Sequence, residues 1–173
     1  MMIESCEKLN NQAINLAASG NFEEAIACLK RAITIEKENY LLWFNLGITY
    51  RDAGDLNNAK EAVEKAFIMN PEDGEVLETL AHLSLTTGNM DDARRYSLLG
   101  IQLHPENAHI WNTTGVIYFK NGDYEEACLS FEQALILNPY YYDALYNLRD
   151  TYEELGNKAG YESCVEKLKL WTD

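Results

Sequence analysis

The sequence predicts an all-α chain of five helix–turn–helix units, because three residue types repeat with one shared period. Glycines stand at Gly20, Gly54, Gly88, Gly122 and Gly156, each 34 residues after the last. Alanines follow five positions later at Ala25, Ala59, Ala93 and Ala127, and Pro71, Pro105 and Pro139, all the prolines in the chain, keep the same spacing. With 173 residues, 47% hydrophobic and 24% charged, the chain is long enough and apolar enough to bury a sizeable core. The period divides it into one array with units near 6–39, 40–73, 74–107, 108–141 and 142–173.

Each unit reads in the same order. The first helix shows apolar residues at i, i+3, i+4 and i+7, as in Trp43, Leu46, Gly47 and Tyr50. The periodic glycine then takes the left-handed conformation that ends a helix. Next comes Asn21, Asp55, Asn89, Asp123 or Asn157, a side chain suited to accept from the free N–H groups that start the second helix. Acids at Glu24, Asp92 and Glu126 sit in that first turn, where the helix dipole favours them. The second helix closes at Asn-Pro or His-Pro, since the residue before proline avoids the α region. No stretch reads as a strand, a linker or a low-complexity tail.

These residues resemble the tetratricopeptide repeat (TPR) family over residues 6–173. The family's Trp, Leu, Gly, Tyr, Ala, Phe, Ala and Pro appear in the fourth unit as Trp111, Thr114, Gly115, Tyr118, Ala127, Phe131, Ala134 and Pro139. The second unit gives Trp43, Leu46, Gly47, Tyr50, Ala59, Val63, Ala66 and Pro71. The third is looser, and the first has Lys37 where proline would stand. The resemblance implies a right-handed superhelical solenoid. The last unit departs most, with Arg149 at a Gly/Ala position and Tyr161 in place of the small Ala. It is expected to be a degenerate capping repeat, because a terminal repeat lacks one neighbour. The alternative is a self-assembling protein that associates through this end, with Leu168, Leu170 and Trp171 meeting another copy before the chain stops at Asp173.

Composition removes several functions. With 28 acidic against 14 basic side chains, the net charge of −14 argues against nucleic acid, which needs Lys and Arg to displace counterions, and against an anionic membrane surface. Apolar runs are too short to span a bilayer. Cys6, Cys28, Cys128 and Cys164 form no close pair, so reduced thiols on helices are expected rather than a disulfide frame or zinc knuckle. The opening Met1-Met2-Ile3-Glu4 shows no basic and apolar leader, which makes the cytoplasm the default. No phosphate loop, nucleophile elbow or HExxH motif is present, and no cofactor site is expected. Glu78, His82 and His109 form the one metal-ligand combination worth weighing, but a fourth ligand cannot be placed and a polar wall is the better reading. A metal-dependent enzyme is therefore a distant alternative to a non-catalytic scaffold.

The family resemblance implies that first helices line a concave groove for a peptide or protein segment. A subgroup clamps acidic chaperone tails, but here its positions hold Asn10, Ile14, Asn45, Glu75 and Thr79, and only Asn45 matches. Asn45 and Asn147, with Asn11 in the first unit, occupy the position whose amide often reaches a ligand backbone. The expected lining is Phe44, Asn45, Ile48, Asp52, Glu75, Glu78, His82, His109, Asn112, Phe119, Tyr146, Asn147, Asp150 and Glu154. Among 33 groove positions implied by the family, twelve acids face only Arg51 and Lys120, a balance of −10. Acids at helix starts answer to the helix dipole, but Asp52, Glu78, Asp150, Glu153 and Glu154 lie farther along. The expected partner is a basic protein segment with apolar character.

Overall fold

In the computed structural model residues 5–172 are described; Met1, Met2, Ile3 and Glu4, which carry the expectation about a leader, and Asp173 lie outside them. The described residues form ten helices and no strand: α1 (Cys6–Ala18), α2 (Phe22–Ile35), α3 (Tyr40–Asp52), α4 (Leu56–Met69), α5 (Gly74–Thr86), α6 (Met90–Leu103), α7 (Ala108–Asn121), α8 (Tyr124–Leu137), α9 (Tyr142–Glu154) and α10 (Lys158–Thr172). They alternate as first and second helices of five units, as the period requires. None is long and apolar enough to cross a membrane. The chain forms two compact bodies, Met1–Gly88 with α1 to α5 and Asn89–Asp173 with α6 to α10.

Helix ends follow from the repeated turn. All five periodic glycines have φ between 67° and 85°, a region that costs any residue with a Cβ. The N–H after the glycine bonds back across the turn, as from Asp55 to the Tyr50 carbonyl at 2.9 Å and from Asn157 to that of Tyr152 at 2.8 Å. The second helices α4, α6 and α8 stop at Asn70, His104 and Asn138, each just before proline. Helix α2 stops at Glu36 although Lys37 replaces that proline.

Three of the expected caps form. Asp55 accepts from the Asn58 N–H, Asn89 from that of Asp92 and Asn157 from that of Gly160. Asn21 and Asp123 make no such bond. Asp123 is drawn away because its carboxylate pairs with Arg94 at 3.0 Å and accepts from the Asn121 amide at 2.8 Å.

The core of the first body is built from Leu9, Ala13, Ala25, Leu29, Ala32, Leu42 and Leu46, all at most 3% exposed. In the second body Ala127, Phe131, Leu145, Leu148, Cys164 and Leu168 pack together, with Trp171 against them. Gly115 lets α7 approach α8 closely; a Cβ there would lie 2.5 Å from the Phe131 ring. In the last unit Arg149 stands at that glycine position, and the close approach is made from the second helix instead. Tyr161 stands at the alanine position, and it is Gly160 that admits the Tyr152 ring, 2.7 Å from where a Cβ would be. At this end Leu168 is buried, Trp171 is half-buried 5.8 Å from the exposed Tyr140 ring, and Leu170 is 77% exposed.

Candidate interaction faces

In the first body the helical rotation of about 100° per residue splits α3 into two faces. Leu46 enters the core and Trp43 and Tyr50 pack against it, while Phe44, Asn45, Ile48 and Asp52 share the other side. Phe44, Asn45 and Ile48 are half-buried and Asp52 is exposed. The Asn45 amide donates to the Asn10 side-chain oxygen of α1 at 2.8 Å. One of its donors is thus used inside the fold, and its own oxygen remains as an acceptor of the kind a ligand backbone needs. Asp52 is held by Arg51, whose Nε donates to it at 2.9 Å.

On α5, Glu75 is exposed, Glu78 half-buried and His82 exposed at its edge. The start of this helix is fixed by Asp73, which accepts from the Glu75 and Val76 N–H groups at 3.0 Å each and from the Tyr40 hydroxyl at 3.0 Å. That carboxylate bond, with burial behind it, raises the Tyr40 pKa. Packing around the His82 ring, and then the Arg51 guanidinium, lower its pKa below the ordinary imidazole value.

In the second body α7 carries His109, Asn112 and Phe119, and α9 carries Tyr146, Asn147, Asp150 and Glu154. The Asn147 amide donates to the Asn112 oxygen at 3.1 Å, the counterpart of the Asn45–Asn10 bond. His109 Nδ1 and the Tyr141 hydroxyl share a hydrogen bond of 2.8 Å, which ties the start of α7 to the start of α9. Between α7 and α9 lies a recess of about 360 Å³. Val116, Phe119 and Phe131 give it an apolar lining; Lys120, Asn147 and Asp150 give it a polar one. Phe119, Asn147 and Asp150 are thus brought to one place. Tyr146, next to Asn147, and Glu154, one turn beyond Asp150, are exposed on the same helix.

Arg149 is the residue that sequence reasoning missed. It stands at a position where Gly or Ala lets helices approach closely in the other units. Its guanidinium stacks 3.8 Å from the centre of the Tyr146 ring and donates from Nε to Asp150 at 2.8 Å. Two of the carboxylates expected to meet a partner's cation, Asp52 and Asp150, are therefore already paired with an arginine beside them. The side-by-side Arg-Asp pairs were the available signal.

Among the described residues, no group of three or more His, Cys, Asp or Glu is placed to hold a metal ion. The four cysteines are free thiols, three of them buried. Burial, followed by the Glu132 carboxylate, pushes the Cys128 pKa up to about 11.

The repeat architecture has known relatives. Family profiles described as tetratricopeptide repeat match residues 108–141 and 50–117, and one described as TPR repeat matches 15–54. The BBSome complex member BBS4 of Bos taurus is 23% identical over 142 residues, 82% of this chain and 27% of that protein. The chain thus spans about a quarter of the length of that curated relative. Among solved structures, the MamA protein superposes with a TM-score of 0.82 at 21% identity, over 96% of this chain and 89% of that one. YrrB, described as a TPR protein with an unusual peptide-binding site, superposes with a TM-score of 0.76 at 21% identity, over 95% and 85%. At these identities the structural likeness concerns the fold.

Proposed function

Because the chain belongs to the tetratricopeptide repeat family, we propose that it is a non-catalytic interaction scaffold whose first-helix faces hold a basic, partly apolar segment of a protein partner. The family generally supplies scaffolds rather than catalysts, and its members bind protein partners. YrrB is described by its peptide-binding site, and BBS4 is named as the member of a complex.

The observation that carries the reading is the recess between α7 and α9. Its apolar lining suits the stem of a partly apolar side chain, and Asn147 with the Arg149-paired Asp150 offers acceptors to a cationic tip, with Lys120 at the same recess leaving room for one such tip only. Asn147 adds an acceptor for a backbone N–H, because its bond to Asn112 uses a donor and not its oxygen. Glu75 on α5 and Glu154 on α9, both exposed, extend the negative field beyond the paired Asp52 and Asp150.

Selection of peptides from a random display library against the whole chain tests this. The reading expects selected peptides to share a Lys or Arg next to an apolar residue. It also expects Phe119→Ala and Asp150→Asn each to weaken them, by about fivefold or more. Enrichment of acidic peptides, or peptides indifferent to both substitutions, would contradict it.

A further inference from the structure

A second pocket lies in the first body on the other side of α3, among α2, α3 and α4, with a volume of about 260 Å³. Ile33, Leu46 and Ala62 make its floor, and the rings of Trp43 and Tyr50 make its walls. Two ammonium groups stand over those rings: Lys65 is 4.6 Å from the centre of Trp43 and Lys30 is 5.7 Å from that of Tyr50. Lys65 also pairs with Glu61 at 3.0 Å, which leaves the pocket with one net positive charge in a chain of −14. Among the described residues Lys30 makes no ion pair.

The fold does not require these lysines, as the chain's own repetition shows. Two periods on, Trp111 and Tyr118 stand where Trp43 and Tyr50 do. The Trp111 indole donates to the Pro105 carbonyl at 2.8 Å, as Trp43 does to that of Lys37 at 3.0 Å. Yet Lys30 and Lys65 correspond to Leu98 and Gln133. The same packing is built without a lysine at either position, although Arg94 reaches the Tyr118 ring from a different position, 5.5 Å from its centre.

We propose that this pocket is a ligand site for a single aromatic ring bearing a carboxylate. At about 260 Å³ it lies just below the size at which small-molecule sites start, about 300 Å³, and so has room for no more than one ring. Two aromatic walls and an aliphatic floor bury the ring, by stacking and area. The lysine pair at the rim takes the carboxylate, and Glu61 disfavours ligands carrying two negative charges. The site shares no residue with the first-helix faces, so it stands or falls apart from the proposed scaffold function.

Phenylacetate and its neutral amide, phenylacetamide, are the probes, titrated into the full chain while the indole N–H resonances of Trp43 and Trp111 are followed by NMR. Phenylacetate should shift the Trp43 signal saturably and leave Trp111 in place. Phenylacetamide should bind about fivefold or more weakly, and Lys30→Gln with Lys65→Gln should weaken phenylacetate by a similar factor. Both lysines are solvent-accessible, so the double variant keeps the fold, which circular dichroism checks. Groove reversals such as Glu154→Lys should change nothing here. The proposal is overturned by equal binding of acid and amide, by equal movement of Trp111, by unchanged affinity in the double variant, or by no saturable shift up to about 10 mM. Tighter binding of N-acetylglycylphenylalanine than of phenylacetate assigns the group to a chain end and the reverse to a free metabolite; either carries the site.

Discussion

Single residues set the close contacts. Ala59 and Ala127 are fully buried where a first and a second helix meet, and the period alone located them. Ala59→Leu or Ala127→Leu should overpack that contact and cost about 1–3 kcal/mol, read as a lower urea midpoint with an unchanged slope. An unchanged midpoint would place those alanines away from a contact. His82 gives a second test. Its pKa is lowered by packing and then by Arg51, so the unfolded chain binds a proton more readily than the native one. Stability should therefore fall as pH drops through the ordinary imidazole value, about 6.5, because protonation favours the unfolded state. Arg51→Ala should move the NMR-detected titration of His82 upward, and a downward move would reverse the assigned charge effect. Neither Arg51 beside His82 nor Arg149 on Tyr146 was legible in the sequence. A repeat alignment places backbone positions, and a guanidinium reaches several ångströms beyond its own.

At the scale of elements, the sequence told most of the story. The glycine column located the turn inside each unit and the proline column the ends of α4, α6 and α8, because each marks a backbone constraint, positive φ or a missing N–H. Side-chain caps were less legible. Asp55 and Asp123 hold the same position, but only Asp55 caps its helix, since Arg94 engages Asp123. Asp55→Ala should accordingly cost about 0.5–2 kcal/mol and Asp123→Ala should owe its cost to the lost ion pair instead, which an Arg94→Ala double-mutant cycle separates. The Asn45–Asn10 and Asn147–Asn112 bonds were hidden for a different reason. They join residues 35 apart, one step off the period, so no column of aligned repeats brings the partners together. The shift from Tyr161 to Gly160 is of the same kind.

For the whole molecule, charge is the property that links sequence to binding. The net −14 was plain, and the family resemblance implied that groove positions carry most of it. What the count could not show is that Asp52 and Asp150 are already answered by Arg51 and Arg149; under the proposed reading, steering would fall to carboxylates such as Glu75 and Glu154. Self-association through the last repeat would depend on Trp171, yet that ring packs on Tyr140 and the local core. Trp171→Ala should therefore leave the sedimentation coefficient's concentration dependence unchanged, and an oligomer dissolved by it would favour assembly over partner capture. The central claim, a scaffold that draws in a basic segment, is tested most directly by association kinetics. A library-selected peptide is measured against the wild type and the Glu78→Lys, Glu154→Lys double variant across a range of salt. The account predicts that association slows with salt and slows about three- to tenfold in the variant at low salt, with dissociation changing less. An association rate indifferent to salt and to both reversals would contradict it.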